Sequence, residues 1–471
     1  MKVIKQTAAG LAVIGALAAC GSSIPGAINA PPSLSSTVPP AITFTAYPAP
    51  EGLPSAHSAG EMSVGTVKGT SDALVQMRYT TARIKWDDTV DPATASWSNV
   101  TPVTNHVTYD PFLWTDRVTG RTFLTLLLSS TAITSFTDDG GTTWTLTEPP
   151  ITLVGFDRES IGGGPYTVPR ANQAYPHATY YCMGFAIATC SRSDDGGRTW
   201  GPPIVTGPAI VMDPLGECIA VHRNVVVGPD GSVYVPHAAC GSTQGMLVSH
   251  DEGVTWNKIV VPGTVARELG GVSSTAALDA AGRIYFASSE GRPVIATSAD
   301  GGKNWSAVVD VGQQFGINHA EFPMLVAGDA GRAAFAFFGT ATDVWHLYVS
   351  YTFDGGATWQ TVDATPTDPI HRGPIDVDGG YPRVPDNDLI PGNGPNGRPD
   401  RFLDHQREQF EDFQDITVDA EGRVLVSYAD GCTSAACLSA DGTPADSTDS
   451  LATISRQTSG RRLFAAFDPA K

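Results

Sequence analysis

Apolar positions along this chain come in short runs broken by aspartate and glycine, and the same interruption returns. Ile416-Thr417-Val418, then Asp419-Ala420-Glu421-Gly422, then Val424 to Tyr428 read as strand, tight turn and strand. Ala276-Ala277-Leu278 before Asp279-Ala280-Ala281-Gly282 and Ile284-Tyr285-Phe286 repeats the pattern. So does Val225-Val226-Val227 before Asp230-Gly231 and Val233-Tyr234-Val235. Beyond the first nineteen residues no run approaches the roughly 20 apolar residues that a membrane helix needs. The pattern predicts an all-β chain of hairpins.

A second repeat fixes how the hairpins are arranged. Thr137-Asp138-Asp139-Gly140-Gly141-Thr142-Thr143-Trp144 recurs at Ser193–Trp200, Ser249–Trp256, Ser298–Trp305 and Thr352–Trp359, all fitting Ser/Thr-x-Asp-x-Gly-x-Thr-Trp with Asn304 as the one substitution. The octapeptide reads as a turn: the aspartate accepts backbone N–H groups, the glycine supplies positive φ, and the tryptophan re-enters the core. The tryptophans are spaced by 56, 56, 49 and 54 residues, close to one four-stranded blade each. Arg83-Ile84-Lys85-Trp86-Asp87-Asp88 with Ser96-Trp97 is a decayed copy upstream, and the pair of strands at 415–428 adds a unit downstream. The expectation is a seven-bladed β-propeller with first strands near Ser63, Asp110, Ser160, Arg223, Ser274, Phe322 and Ile416. Six blades are the alternative, if the last unit packs as an appendage.

The octapeptide is the Asp box that this chain shares with sialidases. Gly60–Gly65, Asp110-Pro111-Phe112-Leu113, Asp116–Arg121, Gly162–Tyr166 and Tyr428–Cys432 also resemble exported bacterial proteins of the sialidase-like or BNR-repeat kind, from about residue 57 onward. The resemblance implies that the boxes lie away from the site and that their aspartates are structural. It also implies what an exo-sialidase would carry: an Arg-Ile-Pro motif, two more arginines clamping a carboxylate, an aspartate acid/base, and a tyrosine nucleophile paired with a glutamate. Arg83-Ile84-Lys85 echoes the first item but has lysine for proline, and Arg83 reads as an exposed strand residue. Arg170, Arg223, Arg267, Arg401 and Arg407 fall in loops or at strand starts. Tyr428 reads as core.

A propeller's ligand site normally lies where first strands begin. The candidates there are Glu61, Asp110, Glu159 and Glu321 as catalytic carboxylates, and Asp157, His222, Arg223 and Asp415 as binding groups. The substrate class implied is a carbohydrate or glycoconjugate. A non-catalytic propeller binding a glycan or a protein is the other reading.

The chain begins Met1-Lys2-Val3-Ile4-Lys5, continues with an apolar run from Ala8 to Ala19, and reaches Leu17-Ala18-Ala19-Cys20. This reads as a signal peptide over 1–19 with Cys20 resembling a lipidation site, giving an exported protein anchored at the bacterial cell surface. Proline, serine and alanine over 20–56 predict a tether, with the propeller over 57–471. Within the tether Ala41–Ala46 reads as a strand able to close the last blade. Six further cysteines fall into the pairs Cys182 with Cys190, Cys218 with Cys240, and Cys432 with Cys437, and disulfides are expected rather than a metal site. A formal net charge of -19 disfavours nucleic acid, and a monomer is expected. The insertion at about 364–411 carries Asp376, Asp378, Asp386, Asn387, Asp388, Asn393, Asn396 and Asp400. It offers the one place for Ca²⁺, although a solvated lid explains the same composition.

Overall fold

The computed structural model describes residues 40–103, 110–128, 131–147, 159–168, 173–184, 188–206, 218–266, 274–289, 291–373, 414–439 and 449–469. Its strands form seven antiparallel sheets, each a blade whose first strand lies innermost. Blade 1 is Ser63–Thr66, Ala73–Met77, Thr80–Asp87 and Thr94–Asn99. Blade 2 is Pro111–Thr115, Thr122–Leu128, Thr131–Thr137 and Thr145–Thr147. Blade 3 is Glu159–Pro165, His177–Met183, Thr189–Ser193 and Ile204–Val205. Blade 4 splits its first strand into Cys218–His222 and Val226–Val227, then runs Val233–Cys240, Thr243–Ser249 and Asn257–Val260. Blade 5 is Ser274–Leu278, Ile284–Ser289, Pro293–Ser298 and Val309–Asp310. Blade 6 is His319–Ala327, Ala333–Thr340, Val344–Thr352 and Gln360–Asp363. The seven-bladed propeller predicted from the repeats is the fold, and the six-bladed alternative falls away.

Blade 7 takes Asp415–Val418, Val424–Asp430 and Leu451–Ser459 from the end of the chain and its outer strand, Thr43–Pro48, from the beginning. Thr43 to Pro48 pair antiparallel with Ser459 to Thr453. The strand read at Ala41–Ala46 thus closes the last blade, and the tether's bound at residue 56 is corrected: from residue 43 the chain belongs to the ring. Ala49, Ala56 and Ala59 pack in one apolar cluster with Met62, Val75 and Ile454. Pro48 is tolerated because an outer edge strand needs no donor on its free side.

The octapeptides make the same turn five times, each between the third and fourth strands of its blade. In the first, Thr143 N and Oγ1 donate to the Asp139 carboxylate at 2.9 and 2.6 Å, and Gly141 N donates to Thr137 Oγ1 at 2.9 Å. Asp195, Asp251, Asp300 and Asp354 repeat this with Thr199, Thr255, Asn304 and Thr358. Burial opposes, yet these donors prevail and hold all five carboxylates below the ordinary aspartate range. The aspartates are fully occupied in shaping turns. Gly197 shows what the turn does for packing: its φ is +81°, and a Cβ there would meet the Phe123 ring of the preceding blade at 2.7 Å. The missing side chain lets each turn seat against its neighbour.

The cysteines pair as expected, Cys182–Cys190, Cys218–Cys240 and Cys432–Cys437. The first two join directly opposed residues on neighbouring strands. No helix among the described residues is long and apolar enough to cross a membrane.

Candidate functional site

Seven first strands leave a cavity of about 810 Å³ on the ring axis. We call the end where first strands begin the inlet and the end where they finish the outlet. Of the described catalytic and binding candidates, Arg223 and Asp415 line this cavity. Arg223 Nη2 reaches from blade 4 to the Pro323 carbonyl of blade 6 at 2.8 Å. Asp415 Oδ2 accepts the Val64 N–H at 3.1 Å, so its carboxylate seals blade 7 to blade 1. Ser63 and Ser160 do the same between their blades, accepting from Leu113 N at 2.9 Å and Val225 N at 3.2 Å. His222 does not line the cavity. Its ring is wholly buried beside that of His237 (6.1 Å between centroids), with Nδ1 2.8 Å from the Arg223 carbonyl oxygen.

The four proposed catalytic carboxylates, Glu61, Asp110, Glu159 and Glu321, sit at or just before the starts of the first strands of blades 1, 2, 3 and 6, and all are buried. They therefore gather at the inlet end, yet none lines the axial cavity. Two lie beside backbone strain: Glu61 has φ +54°, and Phe322, after Glu321, has φ +53°, conformations that a non-glycine residue adopts at a cost. Glu321 is 3.0 Å from His319 Nε2. Asp157 lies outside the described residues, as do Cys20, the acidic insertion residues from Asp376 to Asp400, and Arg170, Arg267, Arg401 and Arg407.

Glu159 has a partner that the sequence did not point to. The Tyr181 hydroxyl donates to Glu159 Oε2 at 2.7 Å, with both side chains withdrawn from water. Glu159 pairs with Met183 across the hairpin, so Tyr181, two residues earlier, shares its face. Burial, then the Glu159 charge, then that of Asp110 push the Tyr181 hydroxyl well above the ordinary tyrosine value. The hairpin turn here carries no Asp-x-x-Gly motif from which this register could be read.

Asp430, at the inlet end of the second strand of blade 7, was missed too. Burial pushes its pKa up to about 7; the Cys432 N–H opposes this, and the Asp368 and Asp449 carboxylates add to the rise. A carboxyl with a folded pKa near 7 and an unfolded one near 3.9 binds its proton more tightly when folded. It therefore adds stability that is fully present below about pH 4 and lost as pH rises through 7. Asp430→Asn, which keeps an acceptor for Cys432 N, is expected to be more stable than the native chain at pH 8 by on the order of 2–4 kcal/mol. The gain should shrink towards pH 4. Urea unfolding at several pH values checks this, and a constant difference between the two proteins would refute it.

Tyr428 is core, as read: it is fully buried, 6.3 Å from the Phe338 ring. Arg83 is not an exposed strand residue. It is half-buried, pairs with Asp72 at 2.7 Å and reaches the Gly140 carbonyl in the turn of blade 2. At the outlet, Asp116 binds His177 Nδ1 at 2.9 Å and the Tyr175 hydroxyl at 2.8 Å. Burial alone would raise its pKa, and these partners hold it low instead. Beside it, Arg117 projects into the cavity. Among the described residues no group of histidine, cysteine and carboxylate side chains is arranged to hold a metal ion.

No protein-family model matches this sequence, and no curated protein matches it. Among solved structures the chain is similar to a protein of unknown function from Dyadobacter fermentans, at 14% identity and a TM-score of 0.40, over 86% of this chain and 96% of that one. It is also similar to a Hadza microbial sialidase, at 13% identity and a TM-score of 0.34, over 85% of this chain and 65% of that one. A third is the xyloglucanase from Xanthomonas campestris, at 15% identity and a TM-score of 0.43, over 68% of this chain and 47% of that one.

Proposed function

We propose that this chain is a glycan-directed propeller that acts as a sialidase-like glycoside hydrolase at the inlet end. One observation carries the reading: a tyrosine hydroxyl donating at 2.7 Å to a buried glutamate, Tyr181 to Glu159, with Asp110 near enough for its charge to act on the same tyrosine. A neutral phenol suits attack on an anionic sugar better than a carboxylate does, and a carboxylate beside it takes the proton. The scheme requires the inlet to open over Tyr181, which is buried here; its oxygen then bonds to the anomeric carbon as its proton passes to Glu159. Asp110 protonates the departing glycosidic oxygen and then, as base, draws a proton from the water that displaces the Tyr181 oxygen from the sugar; that oxygen takes its own proton back from Glu159. The test is hydrolysis of a panel of chromogenic glycosides, sialosides included, by the native chain and by the Glu61→Gln, Glu159→Gln and Tyr181→Phe variants. Activity untouched by the last two would remove the assignment.

A second reading, a non-catalytic glycan- or protein-binding propeller, is favoured by the axial arginines. Arg117 and Arg223 donate to the carbonyls of Ala327 and Pro323 on one strand, four residues or roughly 13 Å apart along an extended chain. They do not converge into one carboxylate clamp. Silence across the whole panel, with retained binding on a glycan array, would favour this reading.

We also propose that the mature chain begins at Cys20 and is lipid-anchored outside the cell. The leader pattern supports this, and three disulfides suit an oxidising compartment. Cys20→Ser is expected to move the protein from the membrane fraction to the soluble fraction, and unchanged partition would reject the anchor.

A further inference from the structure

Arg117 leaves most of its hydrogen-bonding capacity unspent. It lies in the turn after the first strand of blade 2, exposed at the outlet end of the axial cavity. Its one side-chain hydrogen bond among the described residues crosses the axis, from Nη2 to the Ala327 carbonyl of blade 6 at 3.4 Å. A guanidinium carries five N–H donors. The adjacent acid, Asp116, is committed to His177, Tyr175 and the Val118 N–H. The Arg117 guanidinium is charged.

The rest of the outlet narrows what the cation can hold. Lys68 gives its ammonium to the Val118 carbonyl. The carboxylates of Asp279 and Asp419 accept backbone N–H groups of their own turns, at 2.9 to 3.1 Å. Beside these acids a dianion meets more repulsion than a monoanion does. Val67, Val118, Leu278, Val326 and Phe464 line the same cavity, and Val118 is 62% exposed. The cavity volume falls within the range of small-molecule sites.

We propose that the outlet end of the axial cavity binds a small monoanionic carboxylate with an apolar body, its two oxygens forked on Arg117. The planar guanidinium matches a carboxylate edge to edge, and the aliphatic lining receives the body. This site lies at the opposite end of the ring from Glu159 and Tyr181 and does not depend on hydrolysis there.

The probes are octanoate, its neutral analogue octanamide, and octyl phosphate, titrated calorimetrically into the mature chain. Octanoate is expected to bind at one site per chain, with octanamide at least about tenfold weaker and octyl phosphate weaker than octanoate. Arg117→Gln is expected to weaken octanoate about ten- to a hundredfold at an unchanged melting temperature, and Arg117→Lys to fall between. Equal binding of acid and amide, no octanoate binding, tighter binding of octyl phosphate, or a folded Arg117→Gln that binds as before would each overturn the site. Should that variant not fold, the contrast between acid and amide on the native chain decides alone.

Discussion

Tyr181→Phe is expected to lower kcat on a hydrolysed glycoside about a thousandfold or more, the usual scale for losing a nucleophile, while leaving KM within a few-fold. The substitution removes one oxygen and keeps the ring, which packs against Trp200 at 6.1 Å and sits among Leu127, Ala132 and Met183. The blade should therefore hold. Glu159 loses its 2.7 Å donor in a dry site, and that loss costs roughly 1–3 kcal/mol of stability. The two consequences separate the catalytic reading from a structural one. A variant with unchanged kcat and a lowered urea midpoint would mean that the couple only braces blade 3. Glu159→Gln should reproduce the kinetic loss, because an amide cannot accept the phenol proton as the oxygen attacks.

Arg456→Ala is expected to destabilise the fold by about 2–4 kcal/mol, the range for breaking a largely buried ion pair after allowing for the partner's partial exposure. Arg456 is 2% exposed on the third strand of blade 7. Its two Nη atoms grip the Asp88 carboxylate of blade 1 at 2.6 and 2.9 Å. Its guanidinium also lies 4.7 Å from the centre of the Trp86 ring. Asp419, fully buried, is 3.8 Å from it and also depends on Arg423 at 3.1 Å. Alanine would strand part of that charge and empty the seam where the last blade meets the first. Arg456→Lys keeps the charge without the fork, so it should recover part of the loss. Equilibrium unfolding in urea reads both, and midpoints matching the native chain would show that the seam carries no such weight.

The fold was legible because its repeated unit is local. Five octapeptides mark the third turn of five blades, and the aspartate, glycine and tryptophan of each do their work within eight residues. The first strand near Ser63 and the decayed copy at Trp97 followed from counting outward. The strand read at Ala41–Ala46 does close the last blade, but the proline-rich composition around it looks the same in a spacer and in packed chain, so the bound at residue 56 was set too far along. Where the candidate carboxylates stand along their strands was legible, but not where they point. Glu61, Asp110, Glu159 and Glu321 do stand at strand starts, but register decides where each points. Shifts between Ile219 and His222, and between Glu321 and Met324, turn those side chains in ways that alternation along the sequence does not encode. Tyr181 and Arg117 lie away from the strand starts, one mid-hairpin and one in a turn, so a search confined to those starts passes over both.

The pairing of residue 43 with residue 459 sets an order of assembly. Six sheets draw all their strands from one continuous stretch and can form while the polypeptide is still emerging. The seventh waits until its third strand, Leu451–Ser459, has been made, when segments 416 residues apart meet. Joining such distant segments is slow by loop-closure entropy. Until then the outer strand has no hydrogen-bonding partner and the flanks of the first and sixth sheets stay bare. A ribosome stalled near residue 450 would thus hold an open arc, vulnerable to proteases and to pairing with a second copy.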